Sequence, residues 1–547
     1  LARGATKWLR SFGLAVVGLL LAGVMAITSF FSAQSAADGS DSEIDYAATL
    51  SSTGNQLGAT YSSLPQPTYT NPYSVQLWVN PGSLAANNPT GNDRVLINME
   101  HKFVIMSRAN TWQYYIGNGS SWASGLIDTG VTVRQGQWTH IGLVLTATDT
   151  HFYVNGQHVH SRGSRQDSGG IVNKYFGIGS WSSTETSTLA FFDGQVDEIR
   201  LWQADRGGWM STDMHTRPTD TELNSADMVG YFDFNQQSLE TVYNIANNSN
   251  SNLMVRGSIS YLDVKTVSRA GNAATGYRTT VTFPRSYITR EGGWRVPAGV
   301  NTADVLVVGG GGGGGAGGNT GWSGGGGGGG GVSFTKSAQV NPGSIVPVVV
   351  GQGGVSGWAV GDQIKRPIES TTTVPLGLAR NGQSSRFGTI SVLGGGAGGS
   401  AGSSAIASNI DGGTYFNTLM AGRAGTSGAS GGGASMDSET TAAGTAGQGF
   451  AGGLSKPRTW PSGSSSTNFA ASGGGGARGV GAGTTNEAGT LNGYGGTGGP
   501  GAENVITGSS RYYGAGGSAI GCRAYGSTNW GATAIGTDGA VNSGAGG

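Results

Sequence analysis

A chain of 547 residues is longer than one hydrophobic core can serve, so two or more domains are expected. Its 104 glycines, 11% charged residues and formal net charge of +0 give no basic footprint for nucleic acid, and basic runs are absent. The single cysteine, Cys522, excludes an intramolecular disulfide; in its Gly-rich setting it reads as a chance residue rather than a nucleophile.

Residues 1–37 read as a signal peptide or membrane anchor. Arg3, Lys7 and Arg10 form a basic start, and Phe12 to Phe31 is apolar or small for about 20 residues, long enough to span a bilayer. Ser35-Ala36-Ala37 fits a cleavage site before Asp38. Export to the cell surface or the extracellular medium is the expectation, with membrane contact only through this segment if it stays uncleaved. The chain starts at Leu1 and stops at Gly547 inside a Gly-rich pattern, as a truncated piece would.

Residues 42–260 read as an all-β unit. Tyr73–Asn80 alternates Val75, Leu77 and Val79 with polar positions and ends in the Pro81-Gly82 turn. Val95–Met99 with Lys102–Ser107, Trp112–Ile116, Trp138–Thr146, His151–Val154 and Gln157–Ser161 continue the pattern. Asn155-Gly156 supplies a tight hairpin turn. Met228–Asn235 adds a late strand. Strands at this spacing, without helical periodicity between them, predict an antiparallel β-sandwich or barrel.

Residues 262–276 read as a linker, and 277–547 as a glycine-rich domain. Thr279–Pro284, Trp294–Pro297, Asp304–Val308, Val332–Phe334, Ile345–Val350 and Phe387–Leu393 are strand-like, and several run directly into glycine. Glycine loses the most backbone entropy on folding, so such runs can be ordered only if their amides bond to close neighbours, as in packed polyproline-II layers. Order is expected over 277–400. Over much of 401–547, where large apolar residues thin out, either loops packed on that part or no order at all is expected.

Several motifs carry less chemistry than they first suggest. Gly309–Gly315 satisfies G-x-G-x-x-G after the apolar strand DVLVV, but no helix-forming run follows to meet a pyrophosphate. Alternation places the carboxylates of Asp197 and Glu198 on opposite faces of a strand, where they cannot flank one glycosidic bond. Asp197 then shares the apolar face with Ile199 and Leu201, and needs backbone donors, an arginine or a metal. Glu198 and Arg200 share the other face and can pair. His158 and His160 sit two apart, short of the ligand number of a zinc site. Trp112, Tyr114, Trp122 and Trp181 are candidates for stacking on sugar rings, while Trp138 and Trp202 read as core.

The order WTHIGLVLTATDTHFYVNG (Trp138–Gly156), FGIGS (Phe176–Ser180) and FFDGQVDEIRLW (Phe191–Trp202) resembles the laminin-G-like, concanavalin-A-like jelly roll. That resemblance implies a binding module for carbohydrate or protein and, since related jelly rolls often hold calcium near this position, a structural Ca2+ near Asp197. Glucanases of that fold resemble one another in a Glu-x-Asp-x-x-Glu strand; Glu43-Ile44-Asp45 starts it, but position 48 is Ala, so an enzyme is not expected. FPRSYITREGGWRVPAGVNTADVLVVGGGGGGG (Phe283–Gly315) is similar to the glycine-rich domains that follow adhesion modules in bacterial surface proteins and phage tail adhesins. Together these imply adhesion to, or recognition of, a glycan or extracellular protein. The alternatives are the carbohydrate-binding part of a larger secreted glycoside hydrolase, or a structural surface-layer or spacer protein.

Overall fold

The computed structural model describes residues 44–51, 56–60, 64–68, 71–82, 93–122, 124–163, 175–181, 190–246, 251–257, 259–272, 276–316, 323–357, 379–400, 424–436, 438, 440–455, 470–486, 493–519 and 543–547. The apolar segment 1–37, Glu43 and Cys522 lie outside them. Among the described residues no helix is long and apolar enough to cross a membrane.

Two antiparallel sheets face each other. The first contains β1 (Tyr46–Leu50), β3 (Tyr73–Pro81), β8 (Thr139–Leu145), β9 (Asp149–Val154), β10 (Gln157–Gly163), β12 (Gly194–Trp202), β13 (Met228–Phe232) and β16 (Ser260–Asp263). The second contains β2 (Gln56–Thr60), β4 (Arg94–Met99), β5 (Phe103–Arg108), β6 (Thr111–Ile116), β7 (Ile127–Thr132), β11 (Tyr175–Ile178), β14 (Thr241–Val242) and β15 (Leu253–Arg256). Alternate residues meet between them. Val75, Leu77 and Val79 of β3 and Ile141, Leu143 and Leu145 of β8 pack against Ile97, Ile105 and Phe176 from the second sheet. Asn155 takes a φ of 52° and Gly156 of 70°, the left-handed pair that a two-residue hairpin turn demands.

The first sheet is covered on its outer face as well. There Ala47, Trp78 and Trp138 pack with Met214, Tyr287, Ile288 and Val348. Met214 follows a one-turn helix, Met210–Asp213, in the stretch after Trp202. The last three belong to the glycine-rich half, so the two halves share a core.

In the stretch 262–276, expected as a linker, residues 262–272 and Gly276 are structured. Asp263 and Leu262 pair with Tyr46 and Ala47, and β17 (Thr266–Asn272) forms a hairpin with β18 (Gly276–Thr282). Its exposed, polar strands, with Val267 59% exposed, hide it from a reading that looks for burial.

Beyond β18, β20 (Thr302–Val308) pairs with β21 (Val332–Gln339), and β23 (Val348–Val349), β24 (Ser385–Phe387) and β25 (Ile390–Val392) form a small sheet. The glycine runs form a lattice. Gly325, Gly328 and Gly331 donate to the carbonyls of Gly399, Gly396 and Leu393. Gly326 and Gly329 donate to Ser472 and Gly475, and Gly327 and Gly330 to Gly547 and Gly544. Every third amide points to the same neighbour, which is the three-residue turn of polyproline II, a helix with no internal hydrogen bonds. The lattice therefore reaches Gly547, and the glycine runs after residue 400 are part of it rather than loops laid upon it. Large apolar residues are not needed there because backbone hydrogen bonds satisfy the buried amides.

Glycine is required by contact rather than by torsion. A Cβ on Gly312 would sit 2.1 Å from the Gly396 carbonyl oxygen, and one on Gly327 2.1 Å from that of Gly312. Gly312→Ala is expected to cost about 3 kcal/mol or more, the upper end of overpacking, because backbone rather than a flexible side chain must move. Gly125→Ala, with nothing within 4 Å of its Cβ, should stay within about 0.5 kcal/mol. Equal thermal melting of the two variants would refute the lattice.

Candidate functional site

The buried polar site grows out of a β-bulge in β12. Asp197 lies opposite Trp78 and Arg200 opposite Gln76, so two residues face one at Glu198–Ile199. Glu198 takes a φ of 53°. Val196, Ile199 and Leu201 stay in the core between the sheets, while Asp197 turns to the outer face. This corrects the alternation argument twice: Asp197 does not share the face of Ile199 and Leu201, and the Asp197 and Glu198 carboxylates are not separated. Ligand oxygens of Asp45, Asp197 and Glu198 lie within 4.8 Å of one another.

The cation among them is Arg285. Its Nη1 lies 3.2 Å from Asp45 Oδ2, its Nη2 donates to Asp197, and all three side chains are fully buried. The guanidinium also lies over the rings of Trp138 and Trp78, at 4.8 and 5.4 Å from their centroids. The Glu198 amide donates to Asp197 Oδ1 at 2.7 Å, and the Ile288 amide to Asp45 Oδ2 at 2.9 Å. Arg200 pairs with Glu198 as expected, but the pair is buried, and Tyr231 donates to the same carboxylate at 2.8 Å. Asp197 thus has two of the three kinds of partner its burial demands, an arginine and a backbone donor. These residues do not fit a calcium ion beside them: Ca2+ takes six to eight oxygens, and the guanidinium already claims the facing oxygens of Asp45 and Asp197.

Burial raises the Asp45 carboxyl to about 6 despite Arg285, and raises Asp197 well above the usual range. Burial, reinforced by Glu198, raises Asp233 to about 7. The histidines shift the other way. Burial lowers His140 well below its ordinary value, and lowers His215 and His158 to about 4. His215 Nδ1 meets Ser286 Oγ at 2.7 Å across the two halves.

The sugar-stacking candidates divide. Trp112 and Tyr114 are buried between the sheets, with Tyr114 stacked on Phe152 at 5.4 Å and its hydroxyl 3.0 Å from His160 Nδ1. They are out of a ligand's reach because β6 points them inward. Tyr115, one residue on, points outward and was not singled out. Trp122 and Trp181 meet edge to face at 5.5 Å, each close to Tyr115, and His101 stands 5.5 Å from Trp122. These four side chains are partly exposed, and Tyr115, Trp122 and Trp181 cover Val95, Val104 and Met106 on the outer face of the second sheet. A tight loop sets Trp122: Asn118 Oδ1 accepts from the amides of Ser120 and Ser121, and Gly117 bridges back to Trp122. A Cβ on Gly117 would lie 2.1 Å from the His101 carbonyl oxygen, so only glycine lets this loop close on the sheet.

Two outcomes follow for the buried cluster. Arg285→Met leaves two buried carboxylates without their cation and should cost about 3–5 kcal/mol, with the same melting temperature of the unaltered protein in calcium and in chelator. A calcium-dependent rise in melting temperature would show that a metal shares the site. For pH, a depressed histidine holds its stabilisation above the unfolded value of about 6.5 and loses it as pH falls toward 4, up to about 3 kcal/mol for His215. Asp45 and Asp233, raised, act oppositely over an overlapping window. His215→Asn should therefore lose less stability than the unaltered protein between pH 6.5 and 4 in denaturant titrations; parallel losses would contradict the assignment.

Residues 53–206 match the family model described as the concanavalin A-like lectin/glucanases superfamily. No curated protein matches the chain. Among solved structures, similarity is found to a candidate carbohydrate binding protein from Bacteroides ovatus, at 16% identity and a TM-score of 0.32, over 40% of this chain and 60% of that one. A SAP-like pentraxin from Limulus polyphemus matches at 15% identity and a TM-score of 0.25, over 31% of this chain and 81% of that one. A sialidase module from Ruminococcus gnavus, solved with sialyllactose, matches at 11% identity and a TM-score of 0.22, over 29% and 89%. The sandwich has a concanavalin A-like fold, and residues 53–206 are where the chain matches that superfamily.

Proposed function

We propose that this is an exported, non-catalytic surface protein whose sandwich recognises a glycan, with the rings of Trp122, Trp181 and Tyr115 as its stacking platform. The observation that carries this reading is the platform itself. Three large aromatic rings and His101 meet on the solvent-facing side of a sheet, with Trp122 set by the Asn118 loop. Aromatic faces suit the apolar face of a sugar ring, and rigid rings lose little entropy on binding. The acids that a glucanase would use support the non-catalytic reading. Asp45, Asp197 and Glu198 are at most 2% exposed and committed to Arg285 and Arg200, so a glycosidic bond cannot reach between them. Export rests on Arg3–Ala37 and on the family resemblance. In place of calcium, Arg285 supplies the positive charge at Asp197.

A glycan array probed with the full chain tests the platform. Trp122→Ala and Trp181→Ala should each weaken the glycans bound by about tenfold, the equivalent of one stacked ring, measured well below a melting temperature that uncovering Val95, Val104 and Met106 lowers. Undiminished binding in both variants would reject it. Binding to extracellular proteins but to no glycan would move the partner to a protein.

A further inference from the structure

A cleft of about 1390 Å³ opens where the sandwich meets the glycine-rich half. Its walls come from the loop after β7, from β18, β20 and β24, and from the hairpin of Ala502–Asn504 with Arg511–Tyr513. It is distinct from the aromatic platform, whose rings do not line it. Small-molecule pockets run to about 300–1,000 Å³, so this space suits a length of polymer.

The chemistry of the walls is uneven in charge. Arg134, Arg278, Arg386 and Arg511 line the cleft against Asp304 and Glu503. Both acids are engaged locally, Asp304 Oδ1 accepting the Ser337 amide at 2.8 Å and Glu503 accepting from the Ser510 hydroxyl. Arg386 and Arg511 are exposed and in no ion pair among the described residues. Arg278 is anchored by donating to the Val505 carbonyl at 3.3 Å, which holds it at the wall. The aromatic side chains of Trp294, Phe334 and Phe387 line the same space, Phe334 being 46% exposed. Hydroxyls of Thr280, Thr282 and Thr302 line the same space, and the side-chain oxygen of Gln137 is enclosed there without a hydrogen-bond partner.

We propose that this cleft binds an anionic saccharide chain. Its carboxylate or sulfate groups would take the forked guanidinium donors, its ring faces the aromatic side chains, and its hydroxyls the threonines and Gln137. Guanidinium groups alone would suit any polyanion. Aromatic side chains and hydroxyls on the same walls favour the saccharide, and the zero formal net charge of the chain gives no general field for nucleic acid.

The test is affinity measurement on the full chain with polygalacturonate, heparin, uncharged dextran, poly-glutamate and single-stranded DNA. Polygalacturonate and heparin should bind, more weakly as salt rises, and dextran should not enter the cleft. Reversing two exposed charges, Arg386→Glu with Arg511→Glu, should weaken both acidic saccharides at least about tenfold, since charge-assisted contacts are lost. The milder pair Arg386→Gln with Arg511→Gln should act in the same direction with an unchanged melting temperature. Phe334→Ser should weaken the saccharides and leave any poly-glutamate binding untouched. Trp122→Ala, which weakens platform binding, should leave the cleft unaffected, so the two sites fail separately. Unchanged affinity in the charge-reversed protein overturns the proposal. So does DNA or poly-glutamate binding as tight as polygalacturonate, which would mark an undiscriminating polyanion surface.

Discussion

A guanidinium from one half of the chain neutralises carboxylates buried in the other, and the architecture depends on that contact. Taking Asp45 and Asp197 out of water is costly, and Arg200 of the same sheet is committed to Glu198. Arg285 arrives from 88 residues beyond Asp197, between two tryptophan rings that exclude water. Once it is seated, Ser286, Tyr287 and Ile288 follow in register. Ser286 reaches His215, and the Ile288 amide caps Asp45. The outer face of the first sheet is thereby closed, and the sandwich and the glycine-rich half become one packed body at this seam.

The seam is extended by backbone-directed contacts. Gln157 donates to the Asn381 carbonyl at 2.8 Å and Gln383 to the Asn155 carbonyl at 2.7 Å. The hairpin turn at Asn155-Gly156 is therefore also a docking point. Beyond it the glycine lattice replaces side-chain packing with close backbone contact. Each strand of the lattice is stiffened by three neighbours rather than by a core, which explains how a region poor in large apolar residues is ordered. Such a scaffold holds its surface strands in fixed positions, and the junction cleft is walled partly by them.

The polar pit and the aromatic platform lie on the outer faces of opposite sheets. The first departs from strict alternation and the second obeys it. In β6 alternation holds: Trp112, Tyr114 and Ile116 point inward, so the solvent-facing aromatic is Tyr115 between them. In β12 a single residue with positive φ reverses the faces of its neighbours. A period-two reading has no means of anticipating that inserted residue, because nothing in DEIR marks a bulge.

What the sequence determined by itself is whatever depends on local pattern. Alternating Val, Leu and Ile fixed the strands of the sandwich, Asn155-Gly156 fixed a hairpin, and the burial cost of a lone carboxylate required a partner for Asp197. The demand that glycine runs bond to close neighbours was likewise legible, since it follows from backbone entropy alone. The tertiary structure decided the rest. It chose Arg285 as the partner, because a contact between positions 197 and 285 leaves no trace in spacing. It brought Trp122, Trp181, Tyr115 and His101 together from separate loops and strands. It also set the three lattice neighbours of Gly325–Gly331, since identical glycines carry no information about which carbonyl each amide will meet.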